Sequence, residues 1–291
     1  GAGSDMGAPY ASDSPSRKAS VRASLTPMDT SSALDADEAH GSPWARRAGA
    51  LAFSLAHAAL DALYPPTCLA CRAATDRHGA LCPRCWSAMR FIERPFCERL
   101  GTPFEQDLGQ GLISPQAMAD PPAFSRARAV ARFEDGPART LVHRLKYSDR
   151  AELSRPIASW MARAGADILA DADLLAPVPL HALRLWRRQF NQAAALATEI
   201  SRQTERPCNP AALRRIKATR SQVGLSRTQR AENVQGAFRI AESAVVRDLN
   251  VVLVDDVLTS GATANAASRA LLRAGAKRVD VLVFARVVTA T

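Results

Sequence analysis

The chain has little lysine, no apolar run long enough to cross a bilayer comfortably, no internal repeat and no G-x-x-x-x-G-K-S/T loop. Each absence removes a class of protein. Without the glycine-lysine loop, the usual phosphate cradle for nucleotide triphosphates is excluded. Arg46 and Arg47 precede an apolar stretch, Ala48 to Leu63, that imitates a signal peptide with a basic flank. It is interrupted by His57 and Asp61, lies well inside the sequence and is too short for a span. It reads instead as an Ala/Leu-rich helix stopped by Pro65 and Pro66. No membrane span is expected, and a cytoplasmic location is.

Only four of the 38 basic residues are Lys, at 18, 146, 217 and 277, and the formal net charge is +10. An excess of this size suits polyanionic partners such as nucleic acid or phosphorylated substrates. So much Arg beside so much Ala is equally what a GC-rich genome produces, and the overall charge by itself does not choose between the two. At 291 residues and 47% hydrophobic, the chain can bury the core of one or two domains. Residues 1–44 mix Ser, Ala, Pro, Gly and Asp without apolar periodicity, which predicts a disordered tail.

Six cysteines are present, and four of them fall into two C-x-x-C knuckles, Cys68 with Cys71 and Cys82 with Cys85. Two knuckles bring four thiolates to one ion and close the tetrahedral shell that zinc favours at a structural site. Iron also accepts four thiolates, so the metal is less determined than its presence. Without a secretory signal or any further cysteine framework, paired disulfides are the weaker reading. Cys97 stands near the cluster in sequence without a close partner, and Cys208 reads as a small hydrophobe.

From about Ser125 the pattern alternates strands and helices. Strands are expected over Ala127 to Phe133, Leu174 to Val178, Val251 to Val254 and Val279 to Phe284. Helices are expected over Pro137 to Tyr147, Ala151 to Leu169, Asn191 to Thr204 and Ala262 to Arg273, the last stopped by Gly275. This predicts an α/β fold, a parallel sheet flanked by helices, over 125–291, with a helix and four-cysteine module over 45–110. Open parallel sheets bind ligands at the carboxyl ends of their strands. There stand Asp255 and Asp256, followed by the small-residue turn Thr259, Ser260, Gly261, Ala262 and Thr263. A turn that opens a helix can hold a phosphate on its free N–H groups, while two acids beside it accept hydrogen bonds from sugar hydroxyls or hold a divalent cation.

The stretch V-V-L-V-D-D-V-L-T-S-G-A-T resembles the phosphoribosyl pyrophosphate (PRPP) motif of type I phosphoribosyltransferases. With the knuckles ahead of it, the chain from about Leu60 to Val288 resembles the ComF family of competence-associated proteins. P-V-P-L at 177–180 with F-N-Q at 190–192, H-R-L-K-Y at 143–147 and R-x-x-N-V-x-G-A-F from Arg230 to Phe238 are similar to that family's other recurring stretches. The resemblance implies a zinc ribbon at the four-cysteine module and a PRPP site with magnesium. It gives Asp255 and Asp256 to the ribose hydroxyls and Thr259 to Thr263 to the 5′-phosphate. Arg184, Arg187 and Arg188 fall to the pyrophosphate. Two departures stand out: Gln189 replaces the usual Gly of Arg-Gly-Phe-Asn-Gln, and Leu100 stands where a second Cys would follow Cys97. Transferases acting on 6-oxopurines carry an Asp where Thr259 stands, and Thr is no comparable general base, which argues against that substrate class.

Leu213 to Ala231 holds Arg214, Arg215, Lys217, Arg220, Arg227 and Arg230 and no acid. It suits either a mobile loop closing over PRPP or a track for single-stranded DNA, to which Lys146, Arg220, Arg227 and Arg230 are the expected contacts. Two functions follow. One is a PRPP-binding protein of natural transformation, handling single-stranded DNA beside the DNA-uptake machinery. The other is an active phosphoribosyltransferase on an acceptor that no residue names.

Overall fold

The computed structural model describes residues 64–106, 109, 111–147, 150–181, 185, 190–217, 226–241 and 244–288. The expected tail over 1–44 and the helix expected over Ala48 to Leu63 lie outside them. In chain order come short helices α1 (Pro83–Ser87) and α2 (Pro115–Ala119), strand β1 (Ala127–Arg132), helices α3 (Pro137–Tyr147), α4 (Arg150–Ala164) and α5 (Ala166–Ala170), and strand β2 (Leu174–Pro177). Helix α6 (Gln192–Thr204), strand β3 (Leu213–Arg215), helix α7 (Arg227–Val234) and strand β4 (Phe238–Ile240) follow. Strand β5 (Asn250–Leu258), helix α8 (Ala262–Arg273) and strand β6 (Arg278–Arg286) complete the series. Among the described residues the main sheet has the order β1-β6-β5-β2 and is parallel throughout. β3 and β4 make a separate antiparallel pair.

The continuous apolar run of β5 follows from burial on both faces. Because side chains alternate, Val251 and Leu253 enter the core covered by α8, with Ala264, Ala267 and Leu271. Val252 and Val254 enter the opposite core, with Leu141 of α3, Ile157 of α4 and Leu196 of α6. β6 alternates in the same way, Val281 and Val283 toward α8 and Leu282 and Phe284 toward the other helices.

Three expectations need correction. β5 extends through Asp255 and Asp256 to Leu258, paired with β6 as far as Leu258 and Arg286, so the two acids lie inside the strand and not beyond it. The single helix expected over Ala151 to Leu169 is two, broken at Gly165. A Cβ at Gly165 would lie 2.6 Å from Leu282 Cδ1, so close approach to β6 selects glycine and ends α4 there. The segment Leu213 to Ala231 is not a loop throughout: β3 and α7 order its two ends, with Leu213 buried, while Arg220 lies outside the described residues.

The cysteine-rich segment is built onto the sheet. Ile92 N donates to Val130 O at 2.9 Å and Arg132 N to Arg90 O at 2.8 Å, covering the outer edge of β1 that a lone sheet would leave unpaired. Leu69 and Met89 are buried among residues of α3 and α4. Arg128 is 2% exposed; it pairs with Glu98 and with Asp167 at 2.7 Å, and its guanidinium lies 4.7 Å from the centre of the Phe96 ring.

Candidate functional site

The four knuckle sulfurs, of Cys68, Cys71, Cys82 and Cys85, all lie within 4.8 Å of one another. A tetrahedron of zinc–sulfur bonds near 2.3 Å sets its sulfurs about 3.8 Å apart, so the donor set fits zinc. Three of the cysteines are buried and Cys71 is exposed. Cys82 N donates to Cys68 Sγ at 3.2 Å, the kind of bond that steadies a thiolate ligand. Burial, then the neighbouring sulfurs, push the Cys85 thiol far up; a divalent cation is what lets so crowded a set ionise. Cys97 is not a neighbour of this cluster. It is wholly buried in the core under α8, and its Sγ accepts from Leu100 N at 3.4 Å and Ser114 N at 3.2 Å. Cys208 is partly buried, and burial pushes its thiol up to about 11.

A cavity of about 220 Å³ opens at the carboxyl ends of β2 and β5. β5 contributes both acids. Asp256 N donates to Asp255 Oδ1 at 2.9 Å and Val257 N to Asp256 Oδ1 at 2.9 Å, which fixes the carboxylates against their own strand. Burial, followed by the Asp256 charge, holds the Asp255 carboxyl well above the usual carboxylate range, against the opposing pull of the Asp256 N–H and of Lys146. Lys146 Nζ lies 2.9 Å from Asp256 Oδ2, with side chains 24% and 10% exposed.

The turn behind the acids is shaped for an anion. Gly261 has φ +79° and caps α8 with no side-chain bond, and a helix N-terminus offers an anion N–H donors and a favourable dipole. No acid stands in the first turn. Thr259, Gly261 and Thr263 line the cavity, and the buried hydroxyl of Ser260 has no hydrogen-bond partner. Across the cavity, α6 is capped by Asn191, whose Oδ1 accepts from Ala193 N at 3.1 Å and whose Nδ2 donates to Val178 O at 3.2 Å.

The structure thus brings Asp255, Asp256, Thr259, Gly261, Thr263 and also Lys146 to one cavity. Arg184, Arg187, Arg188 and Arg220 lie outside the described residues, as does the side chain of Arg227. Arg230 is half-buried on α7, which packs on α8. Gln192 and Arg215 line the cavity too, although neither stood among the expected site residues. Gln192 carried a signal in the F-N-Q stretch, and Arg215 stood in the basic segment from Leu213 to Ala231; β3 places it at the cavity.

A parallel sheet with this acid pair and turn, and a four-cysteine cluster built onto its edge, defines a phosphoribosyltransferase-fold protein with a zinc ribbon. Comparison agrees: residues 59–116 match the family described as Double zinc ribbon domain and residues 191–289 the Phosphoribosyl transferase domain. The chain is 31% identical to DNA utilization protein YhgH of Escherichia coli (strain K12), over 76% of this chain and 97% of that protein. It is 28% identical to Competence protein F of Haemophilus influenzae, over 75% and 96%. A crystal structure of TT1426 from Thermus thermophilus aligns at 16% identity and TM-score 0.30, over 47% of this chain and 85% of that one. The chain belongs to the family of YhgH and Competence protein F, the ComF-like proteins. Among the described residues, no helix is long and apolar enough to cross a membrane.

Proposed function

We propose that the cavity binds PRPP, carrying magnesium on its pyrophosphate, and that the protein serves DNA utilization in natural transformation, as the names of its relatives suggest for them. One observation carries the ligand reading: the acid pair of β5 and the left-handed Gly261 turn open on the same cavity. Asp255 and Asp256 hold the ribose 2′ and 3′ hydroxyls, Thr259 to Thr263 the 5′-phosphate, and Arg184, Arg187 and Arg188 the pyrophosphate. The chemistry is that of hydrogen-bond acceptors facing a diol and N–H donors facing an anion. Handling of single-stranded DNA in the cytoplasm falls to Arg220, Arg227 and Arg230; Lys146, also expected to contact DNA, instead faces Asp256 in the cavity.

PRPP with magnesium raises the melting temperature of the wild type by mass action, and replacing Asp255 and Asp256 together by Asn abolishes most of that rise. An equal rise in the double variant places the ligand elsewhere. A second reading, ribosyl transfer to an acceptor, is favoured by the apolar wall of Val178, Pro179 and Leu180 beside the acids, which gives an acceptor a surface to rest on. Positive charge gathering at the anomeric carbon would then be stabilised by the charged Asp256 carboxylate. PRPP consumption in the presence of bases, amines or glutamine establishes it.

A further inference from the structure

The two ends of the cavity lie on opposite sides of the sheet. Residues 251 and 253 of β5 face the core under α8, whose N-terminal turn is the phosphate cradle. Residues 252 and 254 face the core built from α3, α4 and α6. Asp256 continues this second series, and Lys146, near the carboxyl end of α3, meets it there at 2.9 Å. The N-terminus of α6 is on that side as well, with Gln192 4% exposed, its buried Oε1 unpartnered, and the residue among those lining the cavity. A ribose phosphate whose 5′ end sits on the α8 turn therefore directs its other end toward Lys146 and α6.

The Lys146–Asp256 contact is close but poorly aligned. Oδ2 of Asp256 is buried and has no hydrogen-bond partner although the ammonium is 2.9 Å away. An ion pair without the directed bond is readily exchanged, since an incoming hydroxyl supplies the missing donor. The ammonium keeps some solvent access and has a flexible four-carbon stem on which to move.

We propose that Lys146 is a displaceable counter-ion. It neutralises Asp256 while the site is empty, yields that carboxylate to the ribose diol, and then pairs with the phosphates at the C1 end of the ligand. This rests on the PRPP reading and adds to it a residue that positions the ligand and discriminates a pyrophosphorylated sugar from a plain sugar phosphate. A merely structural lysine would treat the two ligands alike.

Isothermal titration of PRPP with magnesium and, separately, of ribose 5-phosphate against wild type, Lys146→Met and Lys146→Arg tests this. Lys146→Met is expected to weaken PRPP tenfold or more, by about 1.4 kcal/mol, while ribose 5-phosphate binds as well as to wild type or better, because its diol no longer competes with an ammonium. Lys146→Arg retains much of the preference for PRPP. Equal weakening of both ligands by Lys146→Met, or no change in PRPP affinity, overturns the proposal and leaves the PRPP site standing. Failure of wild type to bind either ligand overturns the PRPP reading and the proposal with it. Circular dichroism of each variant separates loss of affinity from loss of fold.

Discussion

Asp255 is the residue whose environment has the plainest thermodynamic consequence. Its carboxyl is held well above the ordinary 3.8 by burial and by the Asp256 charge. In the folded protein it keeps a proton that the unfolded chain releases above about pH 4, so the folded state binds more protons and stability falls as pH rises toward the raised native value. Asp255→Asn removes that loss. The difference between the denaturant midpoints of variant and wild type is expected to shift in the variant's favour as pH rises from 4 toward 8; a shift in the opposite sense contradicts the assignment. Gly261 is constrained differently. A Cβ there has room, its nearest neighbour being Asn265 Nδ2 at 3.8 Å, but φ is +79°. Gly261→Ala therefore costs about 1–2 kcal/mol through conformation alone, readable as a lowered denaturation midpoint.

At the scale of elements, the break between α4 and α5 is set by contact. Gly165 lies where the chain passes over Leu282, which is fully buried on β6. Gly165→Ala must displace a side chain that has nowhere to go, and overpacking of this kind costs about 1–3 kcal/mol. The double variant with Leu282→Ala should be more stable than the sum of the two single effects predicts, because the new methyl group fills part of the space left. Equilibrium unfolding of the four proteins checks it. The same logic explains α8, whose buried face is largely alanine: small side chains let its N-terminus come close enough to β5 for turn and acids to share one cavity.

Across the whole molecule, the cysteine knuckles and the sheet are one packed body. The sequence alone suggested a small four-cysteine module over 45–110 beside the α/β domain. Leu69 and Met89 inside the helical core, together with the backbone bonds from Ile92 and to Arg90 along β1, argue otherwise. Cys71→Ser is expected to abolish binding of zinc at the four-cysteine cluster and to lower the midpoint of the unfolding transition that the sheet itself undergoes, because metal-binding free energy is folding free energy. Elemental analysis and near-ultraviolet melting measure the two effects; metal-free wild type prepared under reducing conditions refutes the zinc assignment. The basic segment is tested with single-stranded oligonucleotides. Contact with DNA gives an affinity that falls with salt at about −0.7 in log–log slope for each phosphate neutralised. Arg220→Ala with Arg227→Ala flattens that slope, while an unchanged slope beside weakened PRPP retention counts against DNA contact and for a role over the pocket.

Legible in the sequence were the features written in short, contiguous stretches: two knuckles that give four ligands, an apolar run that predicts a doubly buried parallel strand, and an acid pair followed by a turn that opens a helix. These depend on spacing, on the period of a strand and on the backbone freedom of one glycine, all local properties. The end of α4 at Gly165, the burial of Cys97 away from the cluster, the arrival of Arg215 through β3 and the meeting of Lys146 with Asp256 depended on tertiary structure. Lys146 and Asp256 are far apart in sequence and come together because α3 and β5 bury apolar faces in the same core. Burial of those faces is driven by area and has no direction of its own, so a one-dimensional pattern that shows which residues are buried leaves open which charged side chains meet at the rim of the core.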